Sequence, residues 1–94
     1  MMEKEKVKVI FRKDKHGEIV AFFPEGSANY GNIMSYMHIG QHGEASLEFY
    51  QSTKKATYEE YKSLLVELMI IYHGCDLMVK QKLYYKDLRE AWRI

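Results

Sequence analysis

The chain has 94 residues, of which 47% are hydrophobic and 29% charged, with a formal net charge of +1. This length predicts a single domain over residues 1–94 with a thin core, and the composition excludes a disordered, collagen-like or low-complexity chain. No apolar run reaches the ~18–20 residues of a membrane-spanning helix, and the N-terminus lacks an apolar signal-peptide core, so we expect no membrane association. Cys75 is the single cysteine, which is typical of a protein of the reducing cytoplasm.

Alternating apolar and polar side chains predict an antiparallel hairpin near the N-terminus. Within residues 6–12, the apolar Val7, Val9 and Phe11 alternate with the basic Lys6, Lys8 and Arg12, which is the period of a half-buried strand. Residues 14–17 (Asp-Lys-His-Gly) are a turn signal, and residues 19–23 form a second strand. Pro24 ends that strand because proline has no N–H to donate.

The segment 24–46 is rich in glycine and has no long periodic pattern. Such a segment is typical of a functional loop or of one that contains short elements. Within it, the alternation over 33–39 predicts a strand, 40–43 (Gly-Gln-His-Gly) predicts a connecting turn, and the alternation over 45–50 predicts a further strand.

The clearest element is an amphipathic helix over residues 58–73. Thr57 and Glu60 match a capping box at its start, and Gly74 is placed to end it. Apolar residues recur at spacings of three and four, which is the pattern of one buried helix face. The members of this stripe are Tyr58, Tyr61, Leu64, Leu65, Leu68, Ile71 and Tyr72.

Two shorter elements complete the chain. Residues 77–82 alternate and predict a strand, at a sheet edge because of its lysines, and residues 86–92 predict a short helix in which Leu88 and Trp92 pack together. We therefore expect an α+β fold: a mainly antiparallel sheet of four to five strands, covered on one face by the long helix, with a short C-terminal helix.

Several stretches of the sequence resemble a known family. They are 19–25 (IVAFFPE), 35–42 (SYMHIGQH), 58–61 and 64–68. They are similar to a family of small uncharacterised proteins carried by bacterial phages and conjugative elements, mainly in gut bacteria. The resemblance covers roughly residues 9–83, and the SYxHIGQH-like run is its most specific part. It implies a cytoplasmic bacterial or phage accessory protein and supplies no mechanism.

The glycine-rich segment contains the first candidate site. Tyr36, His38, Gln41 and His42 are predicted to form, with exposed tyrosines, a surface that binds a partner protein or a second copy of the chain in a homodimer. The alternative role is structural, with the same side chains satisfying backbone groups of the loop. His38 and His42 are also four residues apart, which suggests ligands of a metal-dependent hydrolase. The third ligand would come from Cys75, His73, Glu44 or His16.

Other catalytic patterns are weak. His73, Cys75 and Asp76 are close in sequence, but a thiol just after a helix C-terminus is poorly placed to ionise. Phosphate-binding glycine motifs and convincing paired carboxylates are lacking in the sequence. We therefore predict no catalytic residue, no cofactor and no metal.

The basic residues are concentrated at the two ends of the chain. Residues 1–15 and 80–94 each carry a net charge of +3, whereas residues 16–53 carry −4. If the ends meet in space, they form a positive face for nucleic acid; the alternative is that lysines protect edge strands from unwanted pairing. The residues of this face would be Lys6, Lys8, Arg12, Lys80, Lys82 and Arg89.

Together these patterns predict a small, non-catalytic binding or accessory protein that makes protein–protein or self-association contacts. Nucleic-acid binding through the basic ends and metal-dependent hydrolysis by His38 and His42 are the alternatives.

Overall fold

The fold is α+β, and the residues that the structure describes form one six-stranded, mainly antiparallel sheet and three helices. The computed structural model describes residues 4–37 and 41–92. In chain order the elements are β1 (Glu5–Lys13), β2 (Ile19–Phe23), β3 (Asn32–Met37), β4 (Gln41–Ser46), α1 (Leu47–Ser52), β5 (Lys54–Lys55), α2 (Tyr58–Ile71), β6 (Cys75–Lys80) and α3 (Tyr85–Trp92). The strands β4, β3, β2 and β1 are neighbours in that order, and β5 and β6 both pair with the remaining edge of β1. The predicted fold class is confirmed.

The β1–β2 hairpin forms as the sequence predicts. The Asp14 carboxylate accepts hydrogen bonds from the backbone N–H groups of His16 (2.8 Å) and Glu18 (2.9 Å). Gly17 has a φ of +84°, a left-handed conformation that glycine adopts at little cost. β2 ends at Phe23, immediately before Pro24. The turn chemistry therefore sets the register of the two central strands.

The sheet buries apolar side chains on both faces: α2 covers one face, as the sequence predicts, and α1 and α3 cover the other. Because successive residues of a strand point to opposite sides, Val9 and Phe11 pack under α2, while Ile10 packs on the other side. The central strand β2 (IVAFF) is continuously apolar, as a strand covered on both faces is. The second core contains Ile10, Val20, Phe22 and Ile33 of the sheet, Tyr50 of α1, and Leu88 and Trp92 of α3.

The long helix begins where the sequence predicts and ends earlier. The Thr57 hydroxyl accepts from the N–H of Glu60 (3.3 Å), and the Glu60 carboxylate accepts from the N–H of Thr57 (2.9 Å), which completes the capping box. α2 ends at Ile71, because Tyr72 leaves the helical conformation at φ −104°, ψ 42° while its N–H still bonds to Leu68. Gly74 follows two residues later without a positive φ, so its predicted role as the helix-ending residue is wrong.

The region 40–50 also differs from the prediction. Residues 41–43 continue the β3–β4 pairing through Met37↔Gln41, so they are not a turn; residues 38–40 lie outside the described ranges. The expected strand over 45–50 is instead the end of β4 followed by α1. The hydroxyl of Ser46 accepts from the N–H of Phe49 (3.0 Å), and this N-cap starts the helix.

The two C-terminal elements match their predictions more closely. β6 is an edge strand, and it runs parallel to β1. In α3, Leu88 and Trp92 both enter the second core. The Trp92 indole N–H donates to the carbonyl of Asn32 at 2.7 Å, and the buried Asp87 carboxylate accepts from Lys8 at 3.2 Å. This hydrogen bond raises the pKa of Lys8 above its usual value. Both contacts attach α3 to the sheet.

Candidate functional site

A cluster of aromatic and polar side chains joins the β3–β4 hairpin to α2. Tyr36 and His42 are directly opposite in the strand register, and their ring centroids are 4.6 Å apart. The Tyr36 hydroxyl donates to the carboxylate of Glu67, and Nε2 of His42 lies 2.8 Å from the hydroxyl of Tyr72. Burial raises the pKa of that Tyr72 hydroxyl, with a smaller contribution from Cys75.

These contacts involve two of the four predicted binding residues, Tyr36 and His42. Tyr36 is 1% exposed and belongs to the core under α2, so its ring offers no surface contact. His42 is exposed. His38 lies outside the described residues, and Gln41 is described only through its backbone pairing with Met37. Of the four, only His42 is seen to present its side chain at the surface.

The carboxylate of Glu44, a candidate metal ligand, is occupied by protein donors. It accepts from the backbone N–H of Asn29 at 2.9 Å and from the side-chain amide of Asn32 at 3.0 Å. These hydrogen bonds lower the pKa of Glu44, and the one from the Asn29 backbone has the largest effect. Glu44 thus ties the chain around Asn29 to β4.

Over residues 4–37 and 41–92, no group of three His, Cys, Asp or Glu side chains has the proximity to hold a metal ion. His38, the second histidine of the metal hypothesis, falls outside those ranges. Cys75 is a half-buried free thiol at the first position of β6.

The side of α2 that faces away from the sheet is apolar in its C-terminal half. Val66, Met69 and Ile70 are 56%, 55% and 70% exposed. Their spacings of three and four place them side by side on one face of the helix, opposite the buried Leu64 and Leu68. We call Val66, Met69 and Ile70 the outer stripe. The sequence pattern alone did not single it out, because apolar residues occur on both sides of this helix.

Two members of the predicted inward-facing stripe are instead exposed. Tyr58 is 59% exposed and Ile71 is 43% exposed, whereas Leu64 and Leu68 are buried and Tyr61, Leu65 and Tyr72 are half-buried. The Tyr58 ring packs against the Tyr61 ring, with the two ring planes at 82°.

Basic residues converge at the edge formed by β1 and β5. Arg12 is paired with Lys55, and Lys13 with Lys54. The Arg12 guanidinium donates to the side chain (3.0 Å) and the carbonyl (2.6 Å) of Thr53. Lys13 forms an ion pair of 2.5 Å with Glu60. The pKa of Glu60 is lowered to about 2, mainly by its hydrogen bond with Lys13 and secondarily by the one from the N–H of Thr57.

Two clefts extend this edge. One has a volume of about 360 Å³ and is lined by Lys13, Lys15 and Lys54, among others. The second brings Lys55 beside Lys80 of β6. We call Lys13, Lys15, Lys54, Lys55 and Lys80 the basic edge; only Lys80 was among the residues predicted for nucleic-acid binding.

The other predicted basic residues have separate surroundings. Lys6 and Lys8 lie in the half of β1 that precedes Arg12, and at ~3.3 Å per residue Lys6 is about 20 Å from Arg12 along the strand. Lys8 contacts Asp87 and Glu25. Lys82 and Arg89 each lie over a tyrosine ring, at 5.6 Å from the centroids of Tyr84 and Tyr85.

Comparison with protein-family models, curated proteins and solved structures finds no significant match to this chain. None of the described helices is both long and apolar enough to cross a lipid bilayer.

Proposed function

We propose that this protein is a non-catalytic binding module that self-associates as a homodimer through the outer stripe of α2. The observation that supports this proposal is the exposure of three large apolar side chains, Val66, Met69 and Ile70, in one contiguous row. A solvent-exposed apolar patch on a small domain is typical of an interaction surface.

The chemistry of the stripe favours a second copy of the chain as its occupant. A two-fold symmetric interface requires a self-complementary surface, and an uncharged apolar row meets that requirement. Antiparallel packing of two α2 helices sets Val66 of one copy opposite Ile70 of the other. It also makes the two helix dipoles antiparallel, which is the electrostatically favourable arrangement. Lys62, one turn before the stripe, is paired with Glu59 of its own helix at 2.7 Å, which balances its charge.

The size of the surface sets the expected strength. A row of three side chains is smaller than the ~800 Å² per partner of a standard interface, so we expect a weak, concentration-dependent dimer. Association also benefits the fold, because a domain of this size has little core of its own and dimerisation stabilises the native state by mass action.

Multi-angle light scattering and sedimentation equilibrium over a wide concentration range test the proposal. We expect the mass to rise from one chain towards two in the wild type and to remain that of one chain in Ile70→Lys. Tyr84→Lys is the matched control, because it replaces a 55% exposed side chain outside α2 with the same charge; it should dimerise like the wild type. A wild type that stays monomeric at the highest concentration refutes self-association, as does an Ile70→Lys variant that still dimerises.

We further propose that the protein works in the cytoplasm as an accessory protein of a phage or conjugative element. This proposal is supported by the single unpaired cysteine and by the resemblance of the 35–42 run to proteins of such elements. Immunoprecipitation of the tagged chain from fractionated host cells tests it, and recovery in the membrane or secreted fraction contradicts it.

A further inference from the structure

The pairing of β5 with β1 places cations directly opposite one another in two successive positions. Arg12 faces Lys55, and Lys13 faces Lys54. Like charges directly opposite on neighbouring strands repel each other and destabilise the pairing. β5 consists of these two lysines alone, so neither apolar burial nor opposite charge of its own residues explains them.

Only part of this charge is compensated within the protein. Arg12 is held by Thr53 and by the Tyr50 ring, whose centroid is 4.9 Å away, and Lys13 is paired with Glu60. Lys15, Lys54 and Lys55 are exposed. Throughout the part of the chain that the structure describes, these three lysines have no carboxylate within ion-pair distance. Lys15 and Lys54 line the cleft of about 360 Å³ together with Asp14, and Lys55 lines the neighbouring cleft with Lys80.

Aromatic rings lie directly beside these lysines. Phe11 and Tyr61 stack with their centroids 4.3 Å apart and line the same cleft as Lys55 and Lys80. The Tyr58 ring packs against Tyr61 at 5.5 Å and is otherwise exposed. A positively charged track with an exposed aromatic ring is the combination that binds single-stranded nucleic acid, because phosphates neutralise the cations and bases stack on the ring.

We propose that the basic edge binds the phosphate backbone of a single-stranded nucleic acid, and that Tyr58 stacks on one of its bases. The proposal concerns a different surface from the outer stripe. It also differs from the set of basic residues expected from the sequence, with which the basic edge shares only Lys80. Lys13 is already neutralised by Glu60 and is not counted. The other four lysines of the basic edge, Lys15, Lys54, Lys55 and Lys80, supply about four phosphate contacts.

Fluorescence anisotropy with a labelled single-stranded oligonucleotide of mixed sequence measures this interaction. With about four phosphate contacts, the slope of log affinity against log salt is expected to be about −2.8, so affinity should fall about 50-fold between about 50 and 200 mM salt. In the double variant Lys54→Ala/Lys55→Ala, two contacts are lost, and the fall should be only about sevenfold over the same range.

The double variant Lys4→Ala/Lys6→Ala is the matched control. It removes the same charge from the opposite end of β1, and both lysines are exposed. We expect wild-type binding from this control, and thermal unfolding of the Lys54→Ala/Lys55→Ala protein at no lower temperature than the wild type. Equal loss of affinity in the two variants would show a nonspecific charge effect and overturn the proposal, as would the absence of binding at low salt.

Two further arms identify the ligand. Tighter binding to a duplex than to the single strand, or full displacement by inorganic phosphate at constant ionic strength, overturns the single-strand assignment. The variant Tyr58→Ala should weaken binding about fivefold or more without changing the salt slope, because stacking releases no counterions. Tyr58→Phe should restore the affinity, and an unchanged affinity in Tyr58→Ala removes the stacking contact from the proposal.

Discussion

The substitution Leu68→Ala, compared with Ile70→Ala, tests which side of α2 faces the sheet. Leu68 is 0% exposed and belongs to the core between α2 and the sheet, whereas Ile70, two residues later, is 70% exposed. Both the packing of the fold and the proposed dimer surface depend on this orientation of the helix.

The structure predicts very different costs for the two substitutions. A buried leucine replaced by alanine lowers the free energy of unfolding by about 2–5 kcal/mol through lost burial and the cavity left behind. Since a domain of this size has a total stability of roughly 5–14 kcal/mol, Leu68→Ala removes a large fraction of it. At roughly 4–8 °C per kcal/mol for a domain this size, a 3 kcal/mol loss lowers the Tm by about 12–24 °C. Ile70→Ala leaves no cavity and gains slightly in helix propensity, so we expect a change within about 0.5 kcal/mol.

Urea titration followed by far-ultraviolet circular dichroism measures both values. The protein concentration is kept low enough that light scattering reports a monomer, so that loss of dimerisation does not contribute. An Ile70→Ala variant that loses as much stability as Leu68→Ala would refute the orientation of α2, and with it the exposure of the outer stripe.

Two further substitutions test the electrostatics and the second core. The pKa of Glu60 is lowered to about 2 by Lys13 from an ordinary value of 4.5, so its contribution to stability is complete above about pH 4.5 and is lost as the pH falls towards 2. In Glu60→Gln the free energy of unfolding should therefore fall less steeply as the pH is lowered than it does in a Glu59→Gln control. The same slope in both variants would contradict this. Trp92→Phe removes the indole donor to a backbone carbonyl of β3 and should cost about 1–3 kcal/mol by urea titration, followed by circular dichroism because the chain has one tryptophan; a cost below about 0.5 kcal/mol would show that this hydrogen bond does not anchor α3.

Elements with a complete local signal were predictable from the sequence. The β1–β2 hairpin has strand alternation on both sides of a turn whose Asp14 and Gly17 act within four residues of each other. The start of α2 is encoded by Thr57 and Glu60, three residues apart. The edge position of β6 followed from its lysines. In each case the groups that determine the structure are neighbours in sequence.

The errors occur where two local patterns compete or where no local pattern exists. The alternation over 45–50 favours a strand, but the Ser46 cap and the burial of Tyr50 against Phe22, with ring centroids 4.9 Å apart, favour the helix that forms. β5 is two residues long, too short for any periodicity to indicate it. Its pairing with β1, which creates the basic edge, depends on a partner about 40 residues away.

The same distinction applies to the candidate surfaces. The alternation and turn signals of the glycine-rich segment suggested that Tyr36 and His42 are near each other. The partners of their hydroxyl and imidazole groups are Glu67 of α2 and Tyr72 at its C-cap, about 30 residues further along. Nothing local in the sequence indicates that Tyr36 is buried while His42 is exposed.

The sequence by itself therefore determined the class of the fold, the central hairpin, the long helix with its cap, and the final edge strand and short helix. Only the tertiary structure decided that both faces of the sheet are covered, that β6 runs parallel to β1, and which apolar residues of α2 remain in solvent. The physical reason is range: turns, caps and periodicity act between residues a few positions apart, whereas burial and strand pairing depend on chain segments that meet only when the whole core forms.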